Sequence, residues 1–499
     1  MKKKIRVRFA PSPTGPLHIG GLRTAFYNYI YAKKYNGDFY LRIDDTDIKR
    51  NRKEYIKYIL KALKWCKIKY NKGYNINKNR KYIQSKRYDI YKRYLNYLIK
   101  NKYAYYAFET KKELNEYRKN KNFIYNFLTR HKLNNSLNKN NKYIKKYIKN
   151  KKFVIRLVIP SNINIIYKDE VFGNIEINTK EIDDKIIYRS NNKPTYHLAS
   201  AVDDHLMKIT HIIRGKEWLS TTPIYIILYK YFNWTIPKFI HLPLLLNNKG
   251  KISKRFNYNN LPIYPINYKN LVTNNSYKSN GFFRNVFIYI LALLGRSDLS
   301  EYKILNLKKI IKLFSLKKIN KSDIKINYKL FCSINRNYIL YGNSKNINYK
   351  LYLFLKKKNN NNIKKKIIYK IINLTKNRIS LINDIWNVSF YFFINPIKYN
   401  IPKDIIKYIN TNYKDIIKFI KNNIIFFFKK KNIKYNNINN YIKNINNINL
   451  LKIIRLSIVG ELVGINLIDI IYILNKINKK IIIKRLKNFK KFIYQYKNF

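Results

Sequence analysis

Residues 8–21 read RFAPSPTGPLHIGG, and the fold of the chain turns on them. Around their start, Ile5, Val7 and Phe9 alternate with charged residues, the period of a short strand. Pro11, Pro13, Gly15 and Pro16 then break the chain into a rigid turn. Leu22, Ala25, Phe26, Tyr29 and Ile30 recur at helical spacing. This predicts a helix that starts near His18 to Gly21 and runs to about Tyr35, with Gly37 suited to its C-terminal cap. Strand, tight turn and helix N-terminus in succession aim unpaired N–H groups and a partial positive charge at one point, which is a phosphate site. No Gly-Lys-Ser/Thr follows Gly15 and no Gly-x-Gly-x-x-Gly is present, so the stretch is neither a P-loop nor a dinucleotide fingerprint.

The 499 residues leave room for about three domains. Lys+Arg number 104 against 26 Asp+Glu, a net charge of +78. Two readings stand side by side. One is a polyanionic partner, bound less tightly as salt rises. The other is AT-rich codon bias, since Lys, Asn, Ile and Tyr dominate throughout and Tyr alone numbers 48. Cys66 and Cys332 are too far apart for a disulfide framework or zinc spacing and fit a reducing cytosol. Three N-terminal lysines precede a strand at Ile5 with no apolar segment between, so no presequence is expected. The apolar patch Ile424 to Phe428 is far too short to span a bilayer. A cytoplasmic chain without a membrane partner is the expectation.

Downstream, Phe39, Leu41 and Ile43 alternate in a second predicted strand, Asp38 to Ile43, which ends in Asp44-Asp45-Thr46-Asp47. Carboxylates at the carboxyl end of a strand in an α/β domain lie where ligands bind. For Asp45 and Asp47 an exposed turn, or a cap for the helix expected over Lys53 to Trp65, is an equal alternative. A further helix is expected over Arg87 to Lys102. Strands are expected over Phe153 to Ile159, Ile163 to Tyr167 and Ile175 to Ile177, the last two flanking a turn at Gly173-Asn174. The Lys/Asn-rich stretch Arg118 to Lys152 reads as long, basic and partly mobile. His197, His205 and His211 are spaced by eight and six residues without a cysteine partner, so they read as packed or capping residues rather than metal ligands.

Three stretches together carry a resemblance to a known family. Pro11 to Gly21 is similar to Pro-Ser-Pro-Thr-Gly-x-Leu-His-Ile-Gly-Gly, the HIGH signature of class I aminoacyl-tRNA synthetases in its glutamyl form. Pro194 to Trp218, PTYHLASAVDDHLMKITHIIRGKEW, resembles the family's return into its catalytic domain. Lys251 to Arg255, KISKR, resembles the KMSKS motif and follows the family's His-Leu-Pro-Leu-Leu-Leu at His241 to Leu246. Further on, Phe287 to Gly295 resembles a stem-contact helix, Asn320 to Ile339 carries a family pattern, and Ile453 to Leu474 resembles anticodon-binding helices. KKKNNNNIKKK, within Gly342 to Lys366, reads as a low-complexity loop or frayed helix. The resemblance is sharp over residues 5–50 and 190–256 and diffuse after about 340.

The resemblance implies a bacterial-type glutamyl-tRNA synthetase. Its α/β Rossmann-like (HUP-type) catalytic domain would span 1–102 and 190–256, with an α+β acceptor-stem-binding insertion at 103–189. An all-α stem-contact domain would occupy 257–330 and an all-α anticodon-binding domain 331–499. Catalytic roles would fall to His18, Lys251, Ser253 and Lys254, and ATP binding to Thr14, His18, Gly20, Gly21 and Lys254. Glutamate would meet Arg8, Ala10, Ser12, Asp44, Tyr196, Ser200 and Arg214. The family commonly has Glu at Asp44 and Asn at Ser200. Arg214 has the clearest physical role, because a guanidinium holds a γ-carboxylate bidentately and a neutral amide less well; the bland alternative is a surface ion pair with Glu217. The implied partners are L-glutamate, ATP with Mg²⁺ and tRNA(Glu), bound by a monomer, and in the family productive ATP binding requires tRNA. Some relatives carry Cys-x-Cys zinc ligands where Ala107 and Glu109 stand, so no zinc is expected. Two rivals are a short glutamyl-queuosine tRNA synthetase homologue, opposed by the long helical C-terminal half, and a decayed RNA-binding protein, opposed by intact His18, Arg214, Ser253 and Lys254.

Overall fold

In the computed structural model, which describes residues 4–47, 49–76, 80–120, 122–247, 250–251, 261–268, 271–359, 363–429 and 433–497, the chain opens as its periodicity predicts. Strand β1 (Arg6–Phe9) leads through the Pro/Gly turn into helix α1 (Ile19–Lys34), then β2 (Asp38–Leu41), α2 (Lys53–Trp65), β3 (Lys72–Gly73) and α3 (Tyr88–Lys100). The helix ends differently from expectation. Asn36, not Gly37, takes the left-handed conformation, with φ 50°. Gly37 is needed for room: a Cβ there would stand 2.6 Å from the Ile5 carbonyl oxygen.

Next come β4 (Ala104–Ala107), the short helices α4 (Lys111–Tyr117) and α5 (Asn141–Lys149), β5 (Val154–Leu157), β6 (Asn164–Asp169), β7 (Gly173–Asn178), β8 (Ile186–Arg189) and β9 (Lys193–Pro194). The antiparallel sheet β4-β5-β8-β9 forms the insertion. Within the stretch expected to be irregular, Arg130 and Asn135 are buried. Arg130 reaches Asp184 at 2.9 Å and the Ile159 carbonyl at 2.7 Å. These contacts tie the basic loop into the insertion's small apolar core of Tyr105, Ala107, Tyr125 and Leu133. The hairpin β6–β7 departs from the expected domain scheme. Its turn lies at 170–172, before Gly173, and β6 pairs in parallel with a strand of the catalytic sheet rather than with the insertion.

The chain then returns through α6 (Tyr196–Leu206), β10 (His211–Gly215), α7 (Thr222–Tyr231) and β11 (Lys238–Leu242). Strands β1, β2 and β3 are parallel neighbours, as are β10, β11 and β6. Backbone and side-chain bonds between Arg6 and Thr210, at 3.0 and 2.9 Å, join the two sets. The order is β3-β2-β1 followed by β10-β11-β6-β7, with β1 on one side of the break and β10 on the other. β2 is buried at every residue, and β1, β10 and β11 at all but the first, because helices cover both faces.

Beyond β11 lie β12 (Leu245–Asn247), β13 (Gly250–Lys251), the hairpin of β14 (Ile266–Tyr268) and β15 (Leu271–Thr273), α8 (Arg284–Leu293), α9 (Leu307–Leu313) and β16 (Ile324–Lys325). α8 packs on α1: the Tyr27 hydroxyl donates to the Ala292 carbonyl at 2.7 Å. The chain accordingly divides into two compact units, Met1–Ser279 with Arg284–Asn327, and Asn280–Phe283 with Tyr328–Phe499. Residues 257–279 and 284–327 fall in the unit that holds the catalytic sheet, and residues 280–283 and 328–330 in the other.

The second unit is helical: α10 (Tyr328–Tyr341), α11 (Ser344–Lys358), α12 (Lys365–Thr375), α13 (Asp384–Asn387), α14 (Lys403–Thr411), α15 (Tyr413–Lys429), α16 (Tyr435–Lys443), α17 (Ile448–Val459) and α18 (Leu467–Lys497, broken at Asn478). The apolar run over 453–474 is split by Gly460, which closes α17 with φ 88° in the left-handed region that glycine tolerates best. The Arg485 guanidinium is buried against the carbonyls of Tyr391, Ile394 and Ile458, at 2.6 to 2.8 Å. Among the described residues, no helix is long and apolar enough to cross a membrane.

Candidate active site

The sheet order reverses between β1 and β10, and a crevice opens there at the carboxyl ends of the strands. A cleft of about 450 Å³ occupies it, lined by the loop from Arg8 to His18, by Gly20 and Gly21 of α1, by Asp44 after β2, and by Arg214 to Trp218 after β10. On the α1 side, His18 is the N-cap, its Nδ1 accepting from the Gly21 N–H at 3.4 Å. A Cβ on Gly20 would come within 3.0 Å of the His18 ring, so glycine lets the imidazole fold over the helix end. The first turn carries no acidic residue, which leaves the positive end of the helix dipole facing the cleft. Arg23 also lines the cleft. It is buried and bonded to the carbonyls of Leu294 and Pro243, and burial pushes its pKa down to about 10.

Behind the β1 wall lies a buried charge cluster. Arg42, wholly buried, donates from Nε and Nη2 to the two oxygens of Asp44, at 2.7 and 3.1 Å. It also donates to Asp204 at 2.6 Å and to the Ser200 hydroxyl at 2.9 Å. Arg8 grips Asp204 with Nε and Nη2, each at 3.0 Å at its closest. Asp203 accepts from Arg87 at 2.8 Å, from Gln84 at 3.0 Å and from the Tyr91 hydroxyl at 2.9 Å. Arg8, Arg42 and Arg87 thus balance Asp44, Asp203 and Asp204, all six buried. Buried charges persist only when paired and hydrogen-bonded in this way. Burial alone would lower the Arg8 pKa, but Asp204 more than reverses that and holds it above its ordinary value. Burial pushes the Asp44 carboxyl up to about 6, against the pull of Arg42.

The β10 wall is built otherwise. Arg214 is buried, with Nε donating to His241 Nε2 at 3.1 Å and Nη2 donating to the Thr222 hydroxyl at 2.8 Å. Nη1 is buried without a hydrogen-bond partner. His241 is in turn bonded through Nδ1 to Asp169 at 2.7 Å. Tyr196 also lines the cleft, its ring 4.5 Å from that of Trp218.

Of the residues singled out from sequence, Arg8, Ala10, Ser12, Thr14, His18, Gly20, Gly21, Asp44, Tyr196 and Arg214 line this one cleft. Ser200 sits behind the wall, fully buried under Arg42. Lys251 pairs through its backbone with Leu246, its side chain outside the described residues, as are Ser253 and Lys254. Arg214 is no surface residue; its neighbours are an imidazole and a hydroxyl. Asp45 takes a structural role, accepting from the backbone N–H and hydroxyl of Ser85 at 2.7 and 2.6 Å. Asp47 lines the cleft and pairs with Arg50 at 2.6 Å. The histidines of the return segment pack: His205 stacks on Trp234 at 3.8 Å and His211 lies 5.1 Å from the ring of Tyr31. Sequence reasoning missed Arg42, Asp203, Asp204, Asp169 and His241 as parts of the site. The one local signal was the doublet of acids at 203–204, following the small and apolar run Leu198 to Val202.

Comparison with known proteins gives the family. The catalytic domain of class I tRNA synthetases (E and Q) matches residues 4–331, and an anticodon binding domain matches residues 347–490. A glutamate–tRNA ligase of Azobacteroides pseudotrichonymphae is 44% identical over 408 residues, 80% of this chain and 81% of that protein. One from Flavobacterium psychrophilum is 39% identical over 498 residues, 95% of this chain and 97% of its own length. The crystal structure of a glutamate tRNA ligase from Elizabethkingia meningosepticum, in complex with its amino acid, is 31% identical with a TM-score of 0.80, covering 98% of this chain and 99% of that one. That of the glutamate-tRNA synthetase from Elizabethkingia anophelis is 32% identical with a TM-score of 0.81, covering 98% and 100%. The chain belongs to the class I tRNA synthetases of the E and Q family and, within them, to the glutamate–tRNA ligases.

Proposed function

We propose that this cleft joins L-glutamate to tRNA(Glu) in two steps. The glutamate α-carboxylate attacks the α-phosphorus of ATP, the bond to the bridging oxygen breaks, and pyrophosphate leaves. A ribose hydroxyl of the terminal adenosine then attacks the acyl carbon, and AMP leaves. The observation that carries this reading is the meeting, in one crevice, of a helix N-terminus free of acidic residues and three buried arginines, Arg8, Arg23 and Arg214. The first step needs in-line placement and charge neutralisation more than a protein base.

His18, Thr14 and the N–H groups of Gly20 and Gly21 would hold the nucleotide. Arg214 and Arg8 would take the γ-carboxylate and Asp44 the α-amino group, with Tyr196, Ala10 and Ser12 shaping the wall. Ser200 would act through Arg42 rather than by contact. Lys254, supported by Lys251 and Ser253, would stabilise the departing pyrophosphate. Mg²⁺ would arrive with the nucleotide. Among the described residues no three acidic, histidine or cysteine side chains converge as a ligand set. An ion that keeps most of its water and binds phosphate oxygens needs no such set; Asp47 and Glu217 on the cleft wall are carboxylates that suit it, and it would neutralise phosphate charge there. The reading carries no zinc, and takes the enzyme to be a cytoplasmic monomer.

The test is ATP–pyrophosphate exchange by the purified chain with glutamate or glutamine, each with and without tRNA(Glu). Exchange with glutamate that appears only with tRNA supports the enzyme, the substrate and their coupling. tRNA binding with no exchange under any condition would replace the reading with a decayed binding protein. Lys254→Ala should abolish adenylate formation and leave tRNA binding intact.

A further inference from the structure

We infer that His241 and Asp169 are positioning residues for glutamate recognition: they hold the Arg214 guanidinium through a neutral ring, so that its charge and its Nη1 nitrogen stay available to the γ-carboxylate. This rests on the reading of the cleft given above.

The chain of contacts begins at the end of β6. One oxygen of Asp169 accepts from the N–H groups of Val171 and Phe172, at 3.0 and 2.9 Å. The other accepts from the His241 N–H at 3.1 Å and from its Nδ1 at 2.7 Å. The parallel pairing of Asp169 with Phe239 sets the register that brings them together. With Nδ1 donating to a carboxylate, the neutral imidazole presents the Nε2 lone pair, and Arg214 Nε donates to it at 3.1 Å. Thr222 takes Nη2 at 2.8 Å and passes its own hydroxyl proton to the Trp218 carbonyl at 3.2 Å. The Tyr225 ring lies 5.0 Å from the guanidinium. Asp169, His241 and Thr222 are all buried, so none of these contacts is shared with bulk water. Burial lowers the His241 pKa, the Asp169 bond opposing it, which keeps the ring neutral.

The physical point is where the negative charge sits. Attraction between charges falls with distance. A carboxylate directly on the Nε edge would neutralise Arg214 in place; with an imidazole interposed, it stands a ring's width away. The guanidinium is fixed on two of its three nitrogens by neutral groups, and the third is buried and open. A glutamate γ-carboxylate supplies the missing charge, whereas a glutamine amide supplies only an acceptor. The arrangement therefore sets preference as well as affinity.

The experiment is steady-state glutamylation of tRNA(Glu) by the full chain and three variants, with KM measured separately for glutamate and ATP. His241→Asn reaches toward Asp169 but falls short of Arg214, and is expected to raise KM for glutamate by about tenfold while KM for ATP moves less than about twofold. His241→Gln returns an amide oxygen near the Nε2 position and should recover most of that loss. Asp169→Asn should show the same split to a smaller degree, because the ring keeps its place but loses its fixed tautomer. Thermal unfolding of each variant separates loss of fold from loss of affinity, and the Gln–Asn contrast survives any destabilisation the two share. Unchanged KM for glutamate in His241→Asn, or glutamate and ATP rising together, would overturn the inference alone. Failure of the unaltered chain to use glutamate would overturn the reading of the cleft and the inference with it.

Discussion

Arg8 and Arg214 face one cleft from either side of the point where the strand order reverses, and they are held by opposite means. Arg8 is gripped by the Asp204 carboxylate, itself shared with Arg42. Arg214 is gripped by a ring and a hydroxyl, and its carboxylate support stands one residue further back. The first arrangement spends the charge locally and gives rigidity. The second keeps the charge in reserve for a ligand. On the function proposed above, two identical side chains would serve one substrate group, one as part of the framework and one as the reader.

The comparison breaks most visibly at Asp204. Asp204→Asn leaves two buried guanidiniums short of a counter-charge, and should lower unfolding stability by about 3–5 kcal/mol in urea denaturation. Nothing comparable is expected from the Arg214 side. The next largest effect is a pH response. Asp44 carries charge above about pH 6 and loses it below. KM for glutamate should therefore rise about tenfold per pH unit on the acid side of 6, and Asp44→Asn should flatten that limb. Stability moves the other way: the folded pKa lies above the unfolded one, so ionising this carboxyl weighs against the fold as pH rises from about 4 to 6. Thr222→Val removes the closer of two acceptors for Arg214 Nη2, the other being the Trp218 carbonyl at 3.4 Å, and should raise KM for glutamate a few-fold, with about 1 kcal/mol of stability lost. The smallest effect belongs to an exposed arginine on the cleft wall. Arg50, exposed and paired with Asp47, should lose no more than about 0.5 kcal/mol of stability as Arg50→Gln.

What was legible in the sequence follows from how local each signal is. The α1 entry was readable because its turn prolines, its N-cap histidine and its apolar spacing sit within a few residues of one another. The motifs also singled out Arg8, Asp44, Tyr196 and Arg214, which line the cleft, but not Arg23, Arg50 and Arg189, which line it too. The cluster beneath it was not legible, because Asp203 and Asp204 carry no local mark of their partners; Arg42 lies 162 residues earlier. His241 entered only as the first letter of an apolar run, and Asp169 not at all, lying past the strand expected over Ile163 to Tyr167, since their meeting depends on the register of β6 against β11. That same pairing joins the β6–β7 hairpin to the catalytic sheet. Gly37 was assigned to the right place for the wrong reason, as closeness to Ile5 leaves no trace in a helix pattern.

The distance in sequence between Arg8 and Asp204 has a further consequence, for synthesis. Arg8 and Arg42 leave the ribosome 196 and 162 residues ahead of the carboxylate that neutralises them. At ordinary translation speeds the N-terminal half-sheet waits roughly 10–40 s for that partner. An N-terminal fragment that stops before α6 should therefore stay unfolded or be held by a chaperone, and the cleft should close late, when the return segment emerges and both guanidiniums find Asp204 at once.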